Sequence, residues 1–255
     1  MSFWPERYLG KKIAVTGAAG GIGRAVALRI AAEGGGLLLI DRENEPLREL
    51  SAEITNSGGA VLETAVFDVT DAESAIRTIK QFENAHGPID SLIHCVGIVG
   101  ESNARADEAD LDIFKQVIDI NLIGSFIMCK AVLPGMVANG YGRILLLSSI
   151  AGKEGNPKMS AYVASKAGLI GLVKALGKEY AHDGITVNAL APAVISTPMN
   201  EATDPATLDA LCEKIPMGRM GTTEETASMI AWICSAEASF NTGVVFDLSG
   251  GRATY

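Results

Sequence analysis

Short apolar runs alternate with longer amphipathic stretches along almost all of this 255-residue chain. Strands that are buried on both faces read as continuous apolar runs, and helices that cover a sheet carry apolar residues three and four positions apart. Residues 37–40 are a run of the first kind, and Ile22, Val26 and Ile30 show the helical spacing. The alternation predicts an α/β fold with a doubly wound parallel sheet and helices on both faces.

The pattern predicts seven strands with helices between nearly all of them. No linker, repeat or low-complexity tract interrupts it, so residues 1–255 are predicted to form a single domain. The least regular part, residues from about 192 to 221, is predicted to be a lid, since long irregular pieces of compact domains often cover sites. The predicted strands are residues 13–16, 37–40, 61–69, 91–96, 143–147, 185–190 and 244–248, and the predicted helices are residues 22–33, 46–56, 72–85, 111–138, 161–181 and 224–235.

Composition excludes several classes of function. The formal net charge is -9, and a chain this acidic with no basic patch is expected to bind neither nucleic acid nor an anionic membrane. Residues 1–12 lack the apolar core of a secretory signal, and no apolar run reaches the roughly 18–20 residues of a membrane span, so we expect a cytoplasmic protein. No metal site is expected from the spacing of possible ligands, and four buried thiols are predicted. The cysteines are Cys95, Cys129, Cys212 and Cys234.

A glycine-rich turn joins the first predicted strand to the first predicted helix, in the sequence Thr16-Gly17-Ala18-Ala19-Gly20-Gly21-Ile22-Gly23. Glycines let the backbone approach a pyrophosphate closely, and the helix N-terminus offers N–H groups and a partial positive charge. An ordinary tight turn is also rich in glycine, but a strand before and a helix after are the context of a Rossmann-type dinucleotide site. Gly17, Gly21, Ile22 and Gly23 are therefore predicted to bind a dinucleotide.

Asp41 stands at the end of the second predicted strand. A carboxylate there can accept hydrogen bonds from ribose hydroxyls, and it repels a 2′-phosphate by about 4 kcal/mol for each pair of unit charges some 4 Å apart. Asp41 therefore predicts NAD rather than NADP as the cofactor. Two alternatives remain at this point: Arg42 could pair with a phosphate, and Asp41 could be a turn residue that only ends the strand.

Further motifs resemble those of the short-chain dehydrogenase/reductase family. The segment Tyr162-Val163-Ala164-Ser165-Lys166 is similar to its Tyr-x-x-x-Lys pair, Ser149 stands where the family carries a serine, and Asn121 resembles its fourth active-site member. The resemblance extends over residues from about 10 to 251. It implies hydride transfer between a nicotinamide ring and a secondary alcohol or ketone, with Asn121, Ser149, Tyr162 and Lys166 as catalytic residues.

The same resemblance implies further cofactor contacts. Asp68 and Val69 would flank the adenine, and Ile195 and Thr197 would hold the nicotinamide carboxamide and the phosphate side. Gly97 would let the backbone approach the cofactor, while Tyr162 and Lys166 would also contact it. The complete predicted cofactor set is Gly17, Gly21, Ile22, Gly23, Asp41, Asp68, Val69, Gly97, Tyr162, Lys166, Ile195 and Thr197.

Two segments depart from the family pattern. The usual Asn-Asn-Ala-Gly is here His94-Cys95-Val96-Gly97, so the hydrogen bonds of the first asparagine require a substitute, which His94 could be. His94 could equally be a plain strand-end residue. The usual Pro-Gly is here Pro192-Ala193, and a positive φ would be costly at Ala193.

The chemistry needs a group that exchanges a proton with the substrate oxygen. An unperturbed tyrosine has a pKa near 10, so only about one in a thousand is ionised at pH 7. Lys166 lies four residues after Tyr162, on the same helix face, and its ammonium, together with the oxidised nicotinamide, is expected to lower the tyrosine pKa. Ser149 is expected to hydrogen-bond the substrate oxygen, and Asn121 to support the lysine through a water. Taken singly, these residues could be a surface pair, a helix cap and a buried polar residue.

The predicted substrate side is polar, which suits a hydroxylated substrate. It comprises Ser149, Glu154, Asn156, Tyr162 and Arg252, and Arg252 near the C-terminus could reach a neighbouring subunit and bind a carboxylate. The chain also resembles the family's sugar-acid dehydrogenases, which act on 2-keto-3-deoxy sugar acids, and family resemblance suggests a homotetramer. Two alternatives stay open: a 3-oxoacyl-carrier-protein reductase, and an NAD-binding sensor or scaffold without chemistry.

Overall fold

The computed structural model describes residues 4–197 and 205–253 and is built around one sheet. Its strands are β1 (Lys12–Thr16), β2 (Gly36–Asp41), β3 (Ala60–Val66), β4 (Ser91–His94), β5 (Gly142–Leu147), β6 (Ile185–Pro192) and β7 (Val245–Leu248). Its helices are α1 (Gly21–Ala32), α2 (Asn44–Asn56), α3 (Ala72–His86), α4 (Leu111–Ile118), α5 (Gly124–Asn139), α6 (Ala151–Glu154), α7 (Ser160–Glu179), α8 (Pro205–Cys212) and α9 (Thr223–Ile233).

The seven strands lie in the order β3-β2-β1-β4-β5-β6-β7, and every neighbouring pair is parallel. The connection from β3 to β4 crosses over so that β4 lies beside β1, which is where the strand order reverses. In open parallel sheets, ligands bind at this switch point, outside the carboxyl ends of the strands. The predicted doubly wound sheet with seven strands is confirmed.

Apolar side chains cover both faces of the sheet. On one face, α3, α5 and α7 contribute Phe82, Met128 and Leu169 to a buried cluster. On the other face, α1 and α9 contribute Ile30 and Ile230 to a second cluster, together with residues of α2. Burial of this kind stabilises the fold by roughly 25 cal/mol per Å² of apolar surface. The two clusters hold the strands rigidly, so the loops at their carboxyl ends are held in place.

The predicted helix over residues 111–138 is continuous in the structure, but its middle is not α-helical. Helix α4 ends at Ile118, residues Asp119–Ile123 form a π-helical turn, and α5 follows without a break. Such wide turns are common at functional sites. Here the turn carries Asn121, whose side chain is fully buried.

The helical stretch Leu111–Asn139 is long and apolar enough, by composition, to cross a membrane. Half of its most apolar window is buried inside the domain, where α5 packs against α3 and the sheet. The expectation that no apolar run is long enough to span a membrane is therefore wrong as a statement about length and composition. The burial of this helix is nevertheless that of a core helix.

The predicted lid over residues 192–221 is partly regular. Strand β6 runs to Pro192, α8 covers Pro205–Cys212, and Ile195 forms a β-bridge with Gly221; residues 198–204 lie outside the described residues. Ala193 avoids the positive φ that would be costly there, since the only non-glycine residues with positive φ in the described ranges are Asn103 and Lys158. The expectation of four buried thiols holds for Cys129 and Cys234, whereas Cys95 and Cys212 are half-buried.

Candidate active site

The glycine turn lies between β1 and α1, at the switch point of the sheet. Gly17 has φ +66°, and a Cβ on it would lie 3.1 Å from the backbone nitrogen of Val96. A Cβ on Gly23 would lie only 2.0 Å from the carbonyl oxygen of Gly17. The N-cap of α1 is Gly20, which offers no side chain to the first-turn N–H groups. A turn this close-packed with an uncapped helix start fits a pyrophosphate.

Asp41 is fastened to the glycine turn. Its Oδ2 accepts a hydrogen bond from the backbone N–H of Ala19 at 2.9 Å, and its Oδ1 accepts one from that of Arg42 at 2.8 Å. The Arg42 side chain turns to Glu43, with Nε 3.4 Å from Oε1 and both groups exposed. The carboxylate therefore lies where a ribose would adjoin the turn, and the arginine that could have held a phosphate has an acidic neighbour.

The segment after β3 lies beside Asp41, because the N–H of Phe67 donates to the carbonyl oxygen of Asp41. The carboxylate of Asp68 accepts hydrogen bonds from the hydroxyl and the N–H of Thr70, at 2.7 and 2.9 Å, and these bonds lower the pKa of Asp68. Val69 is buried, and a Cβ on Gly124 would lie 2.8 Å from its Cγ2. The structure thus brings Asp41, Asp68 and Val69 to one end of the sheet.

Ser149, Tyr162 and Lys166 meet where β5 faces α7. The side chain of Ser149 is hydrogen-bonded to that of Tyr162, and the Nζ of Lys166 lies 5.7 Å from the centre of the tyrosine ring. Lys166 is buried, and its Nζ donates to the carbonyl oxygen of Leu147 at 2.7 Å. In the opposite direction, the hydroxyl of Ser148 donates a hydrogen bond to the carbonyl oxygen of Lys166 at 2.9 Å. These reciprocal bonds fasten the start of α7 to the end of β5.

The pKa of Tyr162 differs from expectation. Burial raises it, and the hydrogen bond from Ser149 opposes the rise without reversing it. Burial also lowers the pKa of Lys166 to about 8. The lowering of the tyrosine pKa is expected from Lys166 together with an oxidised nicotinamide ring, whereas in the chain alone burial disfavours the charged form of both groups. At pH 7 the phenol is neutral and the ammonium is mostly charged.

Asn121 joins three segments of the site. Its amide nitrogen donates to the carbonyl oxygen of Ile98 and to the hydroxyl of Ser165, and its Oδ1 accepts from the N–H of Ile98 at 2.8 Å. A Cβ on Gly97 would lie 3.0 Å from the Nζ of Lys166 and 3.4 Å from the Oδ1 of Asn121. Asn121 thus ties the loop after β4 to α7, and Gly97 leaves the space that Lys166 needs.

His94 is the buried last residue of β4, the middle strand of the sheet. Its Nδ1 lies 2.7 Å from the hydroxyl oxygen of Thr16, and its Nε2 is buried without a hydrogen-bond partner in the part of the chain that the structure describes. Burial lowers the pKa of His94 to about 3. Of the two interpretations left open for it, the strand-end residue fits this burial.

Three of the predicted substrate-side residues, Glu154, Asn156 and Arg252, lie together and are hydrogen-bonded to one another. Arg252 donates from Nε to the Oε2 of Glu154 at 2.9 Å and from Nη2 to the Oδ1 of Asn156 at 3.2 Å. Ile195 is buried and Thr197 is half-buried at the start of the lid. The pair of Lys153 with Asp247, 2.9 Å apart, was missed because nothing local in the sequence signals a contact between residues so distant along the chain.

Comparison with known proteins places this site in a family. The family described as enoyl-(acyl carrier protein) reductase matches residues 17–253. The 2-dehydro-3-deoxy-L-rhamnonate dehydrogenase (NAD(+)) of Sphingomonas sp. (strain SKA58) is 45% identical over 255 residues, 100% of both chains. The 3-oxoacyl-[acyl-carrier-protein] reductase FabG of Thermotoga maritima is 38% identical over 246 residues, 96% of this chain and 98% of the relative. The crystal structure of NAD+-bound xylitol dehydrogenase has a TM-score of 0.90 and 33% identity, covering 96% of this chain and 99% of the other. With Ser149, Tyr162 and Lys166 joined as described, this chain belongs to the short-chain dehydrogenase/reductase family of oxidoreductases.

Proposed function

We propose that the protein is an NAD-dependent dehydrogenase that oxidises a secondary hydroxyl of a 2-keto-3-deoxy sugar acid, or reduces the corresponding ketone. The observation that carries the reaction is the hydrogen-bonded Ser149 and Tyr162 with Lys166 beside them. The substrate class rests on the identity, over both full chains, to a dehydrogenase whose name states a sugar acid and NAD(+).

The chain's own residues divide the binding work. Residues 17–23 would hold the pyrophosphate of NAD, Asp41 the adenosine ribose, and Lys166 the nicotinamide ribose. Bound NAD supplies the nicotinamide ring that accepts or gives the hydride. The remaining proposed cofactor contacts are Asp68 and Val69 at the adenine, Gly97 along the backbone, and Ile195 and Thr197 on the lid side.

Proton transfer and substrate orientation fall to the residues between β5 and α7. The hydroxyl of Ser149 binds the reacting oxygen, and the phenol of Tyr162 gives its proton to that oxygen in reduction or takes it back in oxidation. Asn121 holds the loop after β4 against α7 and so keeps these groups in place. On the substrate side, Glu154 and Asn156, which Arg252 holds together, would form a polar wall that suits a hydroxylated substrate.

The test is NADH formation from a panel of 2-keto-3-deoxy sugar acids, neutral sugars and hydroxyacyl thioesters, with NAD and with NADP. We expect turnover of a sugar acid with NAD. We further expect Tyr162→Phe to lower kcat by at least about a hundredfold, while NAD affinity, measured by fluorescence titration, stays within about twofold. Near-normal turnover by Tyr162→Phe would remove the phenol from the mechanism, and turnover of thioesters alone would remove the substrate class.

A second candidate is a reductase of 3-oxoacyl thioesters on a carrier protein, which the 38% identity to FabG favours. Asp41 opposes it mildly, because reductive synthesis usually draws on NADPH. The NADP arm of the panel separates the two candidates. A cofactor-binding sensor would need none of Ser149, Tyr162 and Lys166.

The setting of the enzyme is also a proposal. We infer a cytoplasmic homotetramer that binds no nucleic acid or membrane. Its four free cysteines are typical of a reducing compartment, and the net charge of -9 disfavours polyanions. Exposed apolar side chains on the long helices, Leu111 and Phe126, supply surface for association. Light scattering after gel filtration would show a monomer if the assembly is wrong.

A further inference from the structure

The C-terminal segment, residues 247–253, crosses from the last strand to the active-site loops, and we call it the C-terminal brace. Two consecutive glycines with positive φ, Gly250 at +62° and Gly251 at +91°, turn the chain at its middle. The hydroxyl of Ser249 donates to the Oδ1 of Asp247, and its oxygen accepts from the N–H of Ala253 at 3.0 Å. These bonds give the brace a defined shape although it lies at the end of the chain.

One side of the brace is joined to α6 by two ion pairs. The Nζ of Lys153 lies 2.9 Å from the Oδ2 of Asp247, and the Nη2 of Arg252 lies 2.8 Å from the Oε2 of Glu154. The side chains of Lys153 and Arg252 are only 6% and 7% exposed. A buried charge needs a partner, so loss of the Glu154 carboxylate would leave the Arg252 guanidinium without the opposite charge that neutralises it.

Helix α6 follows Ser149 closely in the chain and packs against α7, the helix that carries Tyr162. The hydroxyl oxygen of Ser149 accepts from the N–H of Ala151 at 3.1 Å, inside α6. A Cβ on Gly152 would lie 2.7 Å from the carbonyl carbon of Lys166, so α6 and α7 are in backbone contact there. Any shift of α6 therefore moves the serine relative to the tyrosine.

The other side of the brace is joined to the end of the lid. The N–H of Met217 donates to the carbonyl oxygen of Gly250 at 3.2 Å. A Cβ on Gly250 would lie 2.6 Å from the Cγ2 of Ile215, and one on Gly251 would lie 3.3 Å from the Cγ of Pro216. The brace thus contacts both the end of the lid and α6, the helix that follows Ser149.

We propose that the C-terminal brace couples the lid to α6, and that Arg252, through Glu154, is a positioning residue that sets the place of Ser149 against the substrate. The coupling is a property of the chain itself, and only its kinetic consequence rests on the proposed function. Arg252 is neutralised within its own chain, so in this arrangement it holds the wall of the site and does not contact the substrate.

The test is a charge exchange between the two partners. The variants are Arg252→Glu, Glu154→Arg, the double variant that carries both, and Arg252→Lys, which keeps the charge. Hydrogen–deuterium exchange of the unliganded proteins should be faster over residues 150–156 and 213–218 in each single reversal. It should return toward the wild-type rate in the double variant and stay near it in Arg252→Lys. Exchange over β1 and α1 should be unchanged throughout.

Kinetics on the substrate that the panel identifies should follow the same order. We expect each reversal to lower kcat/KM by about tenfold to a hundredfold, chiefly through KM, with NAD affinity unchanged and partial recovery in the double variant. Arg77→Glu, in an exposed ion pair on α3, is the matched control and should match the wild type. Unaltered exchange in the single reversals would overturn the coupling even if no substrate is found. If exchange in the double variant is as fast as in the single reversals, the ion pair of Arg252 with Glu154 does not carry the coupling. If exchange is altered but KM and kcat are not, Arg252 is not a positioning residue.

Discussion

At the scale of single residues, burial sets the protonation of the site. It raises the pKa of Tyr162 and lowers that of Lys166 to about 8, so it favours the neutral form of each. The bond from Lys166 to the carbonyl oxygen of Leu147 holds the ammonium in place. A neutral phenol beside an ammonium is ready to protonate a ketone oxygen, whereas oxidation of an alcohol requires the phenol to lose its proton first.

This protonation predicts opposite pH profiles for the two directions. Oxidation needs the ionised tyrosine, so its kcat/KM should rise as pH increases from about 6 to 8, by up to about tenfold per unit. Reduction needs the neutral phenol, so its kcat/KM should stay level over that range and fall only at higher pH. Initial rates in both directions, in buffers of constant ionic strength, measure this. Oxidation that slows between pH 6 and 8 would contradict the assignment.

Asp41 predicts which dinucleotide is used. Because its charge repels a 2′-phosphate, Asp41→Ala should shift the ratio of kcat/KM for NAD to that for NADP toward NADP by at least about tenfold. Asp41→Asn is the sharper variant, since it keeps an acceptor for the N–H of Ala19 and removes only the charge. An unchanged ratio in both variants would leave Asp41 as a turn residue.

At the scale of elements, the sequence pattern predicts those helices, strands and turns whose conformation depends on neighbouring residues in the chain. The strands and most helices were predicted within a few residues, and the turn between β1 and α1 was predicted from its glycines. The π-helical turn at Asn121 was not, because it is held by bonds to Ile98 and Ser165, which the pattern of α4 and α5 does not contain. The four-residue helix α6 is too short for a period to show, and its partners lie at the far end of the chain.

Close packing inside the glycine turn gives a prediction at this scale. Gly23→Ala would place a Cβ 2.0 Å from the carbonyl oxygen of Gly17, so the turn must shift. We expect the free energy of unfolding to fall by about 1–3 kcal/mol and NAD affinity to fall with it. Gly171→Ala is the matched control: it lies on the exposed side of α7 with nothing within 4 Å, and it should stabilise the protein by roughly 0.5–1 kcal/mol. Urea unfolding and NAD titration distinguish the two, and equal effects would contradict the close contact.

At the scale of the whole molecule, contacts between distant segments complete the structure. The hydroxyl of Tyr8 donates to the carbonyl oxygen of Ala231, and Arg252 meets Glu154, although each pair is far apart along the chain. The second contact follows from strand order, which places β6 beside β5 and β7 beside β6. The catalytic residues could be predicted from the sequence because their motifs are local. The partners that position them could not, because only the folded sheet brings them together.

His94 lies at the centre of that sheet, on β4 between β1 and β5, and it makes the stability of the whole molecule depend on pH. Burial lowers its pKa to about 3, whereas an unfolded histidine titrates near 6.5. Between these values the unfolded chain binds a proton that the folded chain does not, so the free energy of unfolding falls as pH falls through that window. From pH 6.5 to pH 4 the contribution of this one residue is about 3 kcal/mol.

His94→Asn removes the titrating ring, so its unfolding free energy should fall by about 3 kcal/mol less than that of the wild type over the same range. Other groups titrate equally in both proteins, and the difference between them isolates position 94. His182→Asn is the control for the loss of a histidine as such, since His182 is exposed on the turn Ala181–Asp183. Urea unfolding at pH steps between 4 and 6.5 measures all three. Parallel profiles for wild type and His94→Asn would mean that the folded chain protonates this imidazole as readily as the unfolded chain does, and that the centre of the sheet opens to water well above pH 3.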